Sequence, residues 1–257
     1  MRITVCGAAG RMGQAILRIA KSDENIKIAG AVEYDESPAL GTGVPVITKA
    51  SEIEKILQKT DVIIDFTNPE STLKNLEFAK KHNVAVVIGT TGFSQEQKDK
   101  IAEVSKFIPV VFSPNMSIGV NVLFKLVEEA AKKMKGYDIE IVELHHNKKK
   151  DAPSGTAVKL ADVAAEAVGK NMKDVGIYGR EGIIGERTKE EIGVMSVRGG
   201  DIVGEHTVYY IGMGERLELT HRAQSRDTFA AGSVRAAKWL AGKKPGLYDM
   251  QDVLELK

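Results

Sequence analysis

Cysteine is almost missing from this 257-residue chain: Cys6 is the single copy, so no intrachain disulfide can form. A lone thiol fits a reducing compartment. Net charge is also nearly absent, at +1 from 36 basic and 35 acidic residues. That balance supplies no broad positive field for nonspecific nucleic-acid binding. The one dense basic cluster, Lys148-Lys149-Lys150, is too short for a nucleic-acid patch. No stretch approaches the roughly 20 apolar residues of a membrane span. Residues 1–5 run straight into a glycine motif, without an apolar leader region or small-residue cleavage site. Internal repeats, low-complexity tracts and proline-rich linkers are lacking too. The expectation is a cytoplasmic protein with no nucleic-acid and no membrane partner.

The hydrophobic fraction is 43% and the charged fraction 28%, enough apolar content to exclude a disordered chain. The length suits one large domain or two modest ones. Short Val- and Ile-rich runs lie at 3–6, 28–32, 62–66, 84–88 and 110–112. Between most of them apolar residues follow helical spacing, as in Ala15, Ile16, Ile19 and Ala20, or Leu73, Leu76 and Ala79. Apolar strands alternating with helices predict an α/β fold with a Rossmann-type, doubly wound parallel sheet.

The rhythm changes after Asn115. The pattern predicts a helix at about 117–134, a strand at about 138–145, a polar loop, and a helix at about 154–168. Residues 170–190, rich in glycine and charge, read as a long excursion. Strand-like runs follow at 193–198, 202–211 and 216–222, separated by Gly199-Gly200-Asp201 and Gly212-Met213-Gly214, both of which signal hairpins. A last helix is expected at about 227–241. The predicted organisation is a dinucleotide-binding domain at 1–116, an α+β substrate-binding and oligomerisation domain with an open mixed sheet at 117–226, and a C-terminal return at 227–257 that packs on the first domain. Two crossings between domains make a natural hinge.

The first run leads into Gly7-Ala8-Ala9-Gly10-Arg11-Met12-Gly13. Glycines at this spacing, between a strand and a helix, permit a tight turn and close backbone approach to a pyrophosphate at the helix N-terminus. Glu33 closes the second strand, where a carboxylate can bind a ribose hydroxyl. That carboxylate favours NAD, whereas Arg11 could hold the 2′-phosphate of NADP. The cofactor expected is therefore NADH and/or NADPH, leaning to NADH. Gly89-Thr90-Thr91-Gly92 and Ser113-Pro114-Asn115-Met116 follow two further strands, and in open α/β sheets ligands bind beyond such strand ends.

The stretch from Glu140 to Ala157 carries the most chemistry. It reads as a strand ending at His145 and His146, a basic loop containing Lys149, and a helix start. Asp151, Ser154 and Thr156 can all cap that helix, and Pro153 suits its first turn. The amides of Gly155 and Thr156 would then point out of the helix N-terminus, ready for a carboxylate. Imidazole and ammonium beside an anion-binding helix end can hold a small carboxylate and deliver protons to it. His145-His146 is not read as zinc-binding, because neither partner cysteines nor a fixed carboxylate spacing accompany it. No metal is expected.

In this stretch Glu140, Ile141, Glu143, His145, Lys149, Asp151, Pro153, Ser154, Gly155, Thr156 and Ala157 fall in register with the signature of the 4-hydroxy-tetrahydrodipicolinate (dihydrodipicolinate) reductase family. The chain also resembles that family at 7–13, Asp65-Phe66-Thr67, 89–92, 115–121, 198–207 and 214–221. The resemblance implies a reductase of lysine and diaminopimelate biosynthesis. Such enzymes transfer hydride from NAD(P)H to C4 of a small cyclic dicarboxylate, with loss of the 4-hydroxyl as water. By resemblance, His145 is the acid/base histidine, Lys149 the proton-donating lysine, His146 a substrate contact, and Gly155 with Thr156 the carboxylate-binding turn. Gly7, Ala8, Ala9, Gly10, Arg11, Met12, Glu33, Gly89, Thr90, Thr91, Ser113, Pro114, Asn115 and Met116 resemble the cofactor contacts. The family also implies a homotetramer built through the open sheet. Tyr34 stands where some members carry arginine, which weighs against an NADP preference. The rival readings are another Rossmann amino-acid or hydroxy-acid dehydrogenase, a non-catalytic NAD(P) sensor, and a family member drifted toward the dehydrated dicarboxylate.

Overall fold

Val and Ile, stiff at χ1, suit strands buried on both faces, and the first part of the chain uses them for that. The computed structural model describes residues 1–257. Its first elements are β1 (Arg2–Cys6), α1 (Arg11–Lys21), β2 (Lys27–Glu33), β3 (Ile47–Lys49), α2 (Ile53–Leu57), β4 (Val62–Asp65), α3 (Pro69–His82), β5 (Ala85–Ile88), α4 (Gln95–Val104) and β6 (Pro109–Phe112). Then come α5 (Ile118–Lys133), β7 (Asp138–His145), α6 (Gly155–Ala167), α7 (Met172–Val175), β8 (Gly176–Ile177), β9 (Ile192–Arg198), β10 (Gly204–Ile211) and β11 (Arg216–Ala223). The chain ends with α8 (Asp227–Leu240), β12 (Gly246–Tyr248) and α9 (Met250–Val253). Two compact units result, one of residues 1–118 with 226–257 and one of residues 119–225. No helix is long and apolar enough to cross a membrane.

In the first unit seven strands form one sheet in the order β12-β6-β5-β4-β1-β2-β3, with every pairing parallel. Successive residues of a strand face opposite sides, so each strand feeds two cores. Ile3, Val5, Ile64 and Val87 pack with Ile16 of α1 and Val234 and Leu240 of α8. Val32, Ile63 and Val86 pack on the other side with Leu57, Leu76 and Ile101 from α2, α3 and α4. Each such fully buried aliphatic side chain contributes about 1.5–3 kcal/mol by leaving water. Asn68 caps α3, accepting from the Ser71 amide, with Pro69 at the first helical position. Strand order reverses between β1 and β4, which is where an open α/β sheet leaves a crevice.

The second unit has a five-stranded mixed sheet in the order β11-β10-β7-β9-β8. The reversal at Gly212-Met213-Gly214 closes a hairpin, pairing Ile211 with Arg216. The hairpin expected at Gly199-Gly200-Asp201 does not form. β7 lies between β9 and β10, pairing parallel with the first and antiparallel with the second. The turn is drawn onto the end of β7 instead: Gly199 N–H donates to the His145 carbonyl at 2.9 Å, and Asn147 N–H to the Gly200 carbonyl at 3.2 Å. Ile139, Ile141, Val208 and Tyr210 bury one face of the sheet against Val127 of α5 and Leu160 of α6. The Tyr210 hydroxyl, buried with them, donates to the Val127 carbonyl at 2.7 Å. Within the excursion 170–190 lie the short α7 and β8, and Arg180 and Arg187 tie it to Glu140 on β7.

Candidate active site

Five parallel strands, taken in the order β6-β5-β4-β1-β2, deliver their following loops to one rim of the first sheet. The glycine loop follows β1. Gly7 takes a φ of +78°, and its N–H donates to the Val32 carbonyl at 2.9 Å. A Cβ at Gly13 would lie 2.2 Å from the Gly7 carbonyl oxygen, so only glycine lets α1 start this close to the loop. Gly10 is the N-cap of α1 and offers no side-chain acceptor, which leaves the first-turn amides to an outside anion.

A cavity of about 520 Å³ opens at this rim, lined among others by Gly7, Ala9, Gly10, Glu33, Tyr34 and Thr67. The Glu33 carboxylate accepts from the Ala9 amide at 2.9 Å and from the Tyr34 amide at 3.3 Å, so it braces the loop while facing the cavity. Ala8 is fully buried in the core, Met12 packs partly against it, and Arg11 is exposed at the start of α1. Burial, and then the charge of Arg11, press the proton affinity of the Arg226 guanidinium down.

Farther along the rim, Thr90 is buried and Thr91 exposed. A Cβ on Gly89 would fall 2.1 Å from the Phe66 ring. The Ser113 hydroxyl donates to the Asn115 carbonyl at 3.0 Å, the Asn115 side chain accepts from the Ser117 amide at 2.8 Å, and Met116 is buried. Sequence reasoning left Asp65 out of the site. It is fully buried at the end of β4, accepting from the Thr67 amide and hydroxyl, from Thr72, and, through its other oxygen, from Asn75 at 2.7 Å. The available signal was an acid closing an otherwise apolar strand, followed by a threonine.

In the second unit Glu143 and His145 sit two residues apart on β7 and so share a face. Glu143 is fully buried. Arg198, from β9, donates to both its oxygens at 2.9 Å; the Ser154 amide donates to one at 3.1 Å, and His145 Nδ1 lies 2.5 Å from the other. Burial pushes the Glu143 carboxyl up, but the donors, Arg198 foremost, prevail and bring it down to about 2. Burial lowers the His145 imidazole; Glu143 partly restores it, and the charges of Lys149 and Arg198 lower it again. The His145 and His206 rings meet edge to face, 5.2 Å apart.

His146 leads the loop after β7, its N–H on the Ile202 carbonyl at 2.8 Å. The Lys149 ammonium donates to both oxygens of Asp151 at 2.8 Å. Ser154 is the N-cap of α6 and accepts from the Ala157 amide at 3.2 Å. Pro153 therefore precedes the cap rather than occupying the first turn, because Ser154 claims the capping position. Gly155 and Thr156 are the first two helical residues, at the positive end of the 13-residue α6. One unit thus gathers an imidazole, an ammonium, a guanidinium–carboxylate pair and an anion-binding helix end, and the other a nucleotide-type loop and cavity.

These features define a Rossmann-fold, nicotinamide-dependent oxidoreductase. Residues 1–116 match the family described as dihydrodipicolinate reductase, N-terminus, and residues 119–254 that described as dihydrodipicolinate reductase, C-terminus. The chain belongs to the dihydrodipicolinate reductase family. It is 54% identical to the 4-hydroxy-tetrahydrodipicolinate reductases of Syntrophotalea carbinolica and Geotalea daltonii, with 100% of both chains covered in each comparison. Among solved structures it is similar to a dipicolinate-bound dihydrodipicolinate reductase from Paenisporosarcina sp. TG-14, with a TM-score of 0.79 and 25% identity over 98% of each chain. It shares its fold with a probable dehydrogenase from Thermotoga maritima, with a TM-score of 0.66 and 12% identity over 100% of this chain and 93% of the other.

Proposed function

We propose that this chain reduces 4-hydroxy-tetrahydrodipicolinate to tetrahydrodipicolinate, with loss of water, in lysine and diaminopimelate biosynthesis. The observation that carries the reading is the joining of His145, Lys149 and the start of α6 on one short stretch, in a chain 54% identical throughout to reductases of that name.

The first unit suits a dinucleotide: Gly10 leaves the start of α1 uncapped, and Glu33 lines the 520 Å³ cavity beside it. NADH or NADPH, when bound, supplies the hydride. Gly7, Ala9, Gly10 and Glu33 would hold its nucleotide end, and Gly89, Thr90, Thr91 and the loop 113–116 would hold the other. In the second unit the Gly155 and Thr156 amides receive a ring carboxylate, with His146 as a further contact. Loss of the 4-hydroxyl together with a neighbouring ring proton, as water, would leave C4 conjugated with the ring imine, and a hydride delivered to C4 would then shift the electron pair toward the ring nitrogen as negative charge. The Lys149 ammonium meets that charge and donates the proton, and His145 presents its imidazole as acid/base partner.

The reading extends to a cytoplasmic homotetramer. Burial of the lone thiol of Cys6 fits a reducing compartment. Exposed Val197 and Ile211, both on the sheet face of the second unit turned away from its helices, fit a face covered by another copy. Analytical ultracentrifugation checks the subunit count. The function is tested by coupling the purified protein to a synthase that forms the hydroxylated dicarboxylate and following NADH and NADPH oxidation separately. Consumption of neither cofactor in a substrate-dependent way would overturn it.

A further inference from the structure

We infer that Glu143, clamped by Arg198, is a positioning residue that sets the tautomer of His145 and ties it to the start of α6; its catalytic consequence rests on the function proposed above. Glu143 accepts four hydrogen bonds with two oxygens. One oxygen takes Arg198 Nη2 and the Ser154 amide, and the other takes Arg198 Nη1 and the His145 ring nitrogen.

The allocation of protons follows from charge. Arg198 is a permanent cation and keeps the carboxylate ionised, so Glu143 has no proton to give. The hydrogen in the 2.5 Å contact with His145 therefore belongs to Nδ1. A neutral imidazole protonated at Nδ1 carries its lone pair at Nε2. No hydrogen bond within the chain occupies that nitrogen. A Cβ on Gly204 would stand 2.9 Å from it, so glycine at that position keeps a methyl from crowding the nitrogen.

A guanidinium–carboxylate pair in a core adds little net stability, and well-packed apolar residues often replace it without loss. Here the carboxylate has further duties. Its Ser154 bond fixes the residue that caps α6, while Arg198 Nη2 also donates to the Asp151 carbonyl at 2.7 Å. Asp151 in turn holds the Lys149 ammonium. One buried anion thus sets the positions of the imidazole, the ammonium and the carboxylate-binding turn.

The test begins with unaltered full-length protein. Nitrogen-15 NMR of its histidines should show neutral His145 protonated at Nδ1, assigned by the loss of its signals in His145→Gln. Neutral His145 protonated at Nε2 instead would overturn the inference without any variant of Glu143. In Glu143→Gln the amide can offer either oxygen or nitrogen to the ring, so the two tautomers should become mixed. kcat should fall about 10²-fold or more, as when a catalytic histidine loses its orienting carboxylate. The acid limb of kcat/KM should move to lower pH by about one unit, because the anion that favours the imidazolium is gone. Charged or titratable groups also facing the ring are Arg198 from β9, His206 from β10 and Lys149 from the following loop, all unchanged in this variant. Arg198→Lys, which keeps the charge but loses the fork, should give an intermediate loss and serves if Glu143→Gln does not fold. A variant that merely melts earlier, with the His145 tautomer and pH profile unmoved, would show a purely structural carboxylate and overturn the inference. Should the wild-type tautomer be as assigned while no dicarboxylate is reduced, the proposed function falls and the tautomer assignment stands.

Discussion

Ser154 Oγ lies 3.0 Å from Nε2 of His206, an imidazole only 4% exposed, while the same hydroxyl accepts from the Ala157 amide. Nδ1 of His206 is buried without a partner, so a second N–H there would have no acceptor. The ring stays neutral: burial, then the charge of His145, hold it down to about 3.

Neutral burial of His206 predicts acid-sensitive stability. Unfolded, the ring takes a proton below about pH 6.5. Folded, it refuses one until about pH 3. The unfolded state therefore binds more protons between these values, and stability falls as pH drops through that window, by about 1.4 kcal/mol per pH unit for one such group. Urea unfolding at pH 6.5 and 5 should show a smaller difference for His206→Gln than for wild type. An equal slope in the two proteins would refute the neutral assignment.

Replacing either proton-handling residue should act on turnover. His145→Gln and Lys149→Met should each lower kcat by about 10²–10⁴-fold, the range for a lost acid/base group. Steady-state kinetics at saturating cofactor checks this. Near-normal turnover of His145→Gln would remove the proposed mechanism.

Asp65 should matter to the cofactor rim although it stands behind it. Asn in its place would turn an amide N–H₂ toward one of the donors it now accepts from, in a site fully out of water. Asp65→Asn should cost about 1–3 kcal/mol of unfolding free energy and weaken NADH binding through Thr67 and Thr90. Titration calorimetry together with urea unfolding measures both. Unchanged stability would mean that the network tolerates a donor there.

Close packing makes a parallel prediction at Gly89. An added Cβ, 2.1 Å from the Phe66 ring, forces that ring aside. Gly89→Ala should destabilise by about 1–3 kcal/mol. Gly199→Ala, with nothing within 4 Å of the new methyl, should change little. Thermal melts of the two variants that coincide would contradict the packing account.

The cofactor preference should be shallow. Glu33 faces the cavity, Tyr34 beside it brings no cation, and exposed Arg11 offers the one nearby charge on the glycine loop. kcat/KM for NADPH should not exceed that for NADH by more than about tenfold, or roughly 1.4 kcal/mol.

Residue order alone determined the parallel sheet, since Val- and Ile-rich runs alternating with helical spacing have few other ways to bury both faces. It also determined the glycine loop and the chemical character of the segment from Glu140 to Ala157, because turn geometry, capping and functional groups are local properties. Strands β3, β8 and β12, of two or three residues each, exist only through the neighbour they pair with, and no local pattern marks them. Gly199-Gly200-Asp201 signals a reversal but cannot say that β7 will intervene between the strands it joins. The same limit applies to the site. His145 and Lys149 stand out by residue type, whereas Arg198 reaches Glu143 from 55 residues away, and Asp65 collects donors from three separate segments. Such polar clusters are settled by which groups must share a water-free space, and that is known only once the chain has packed.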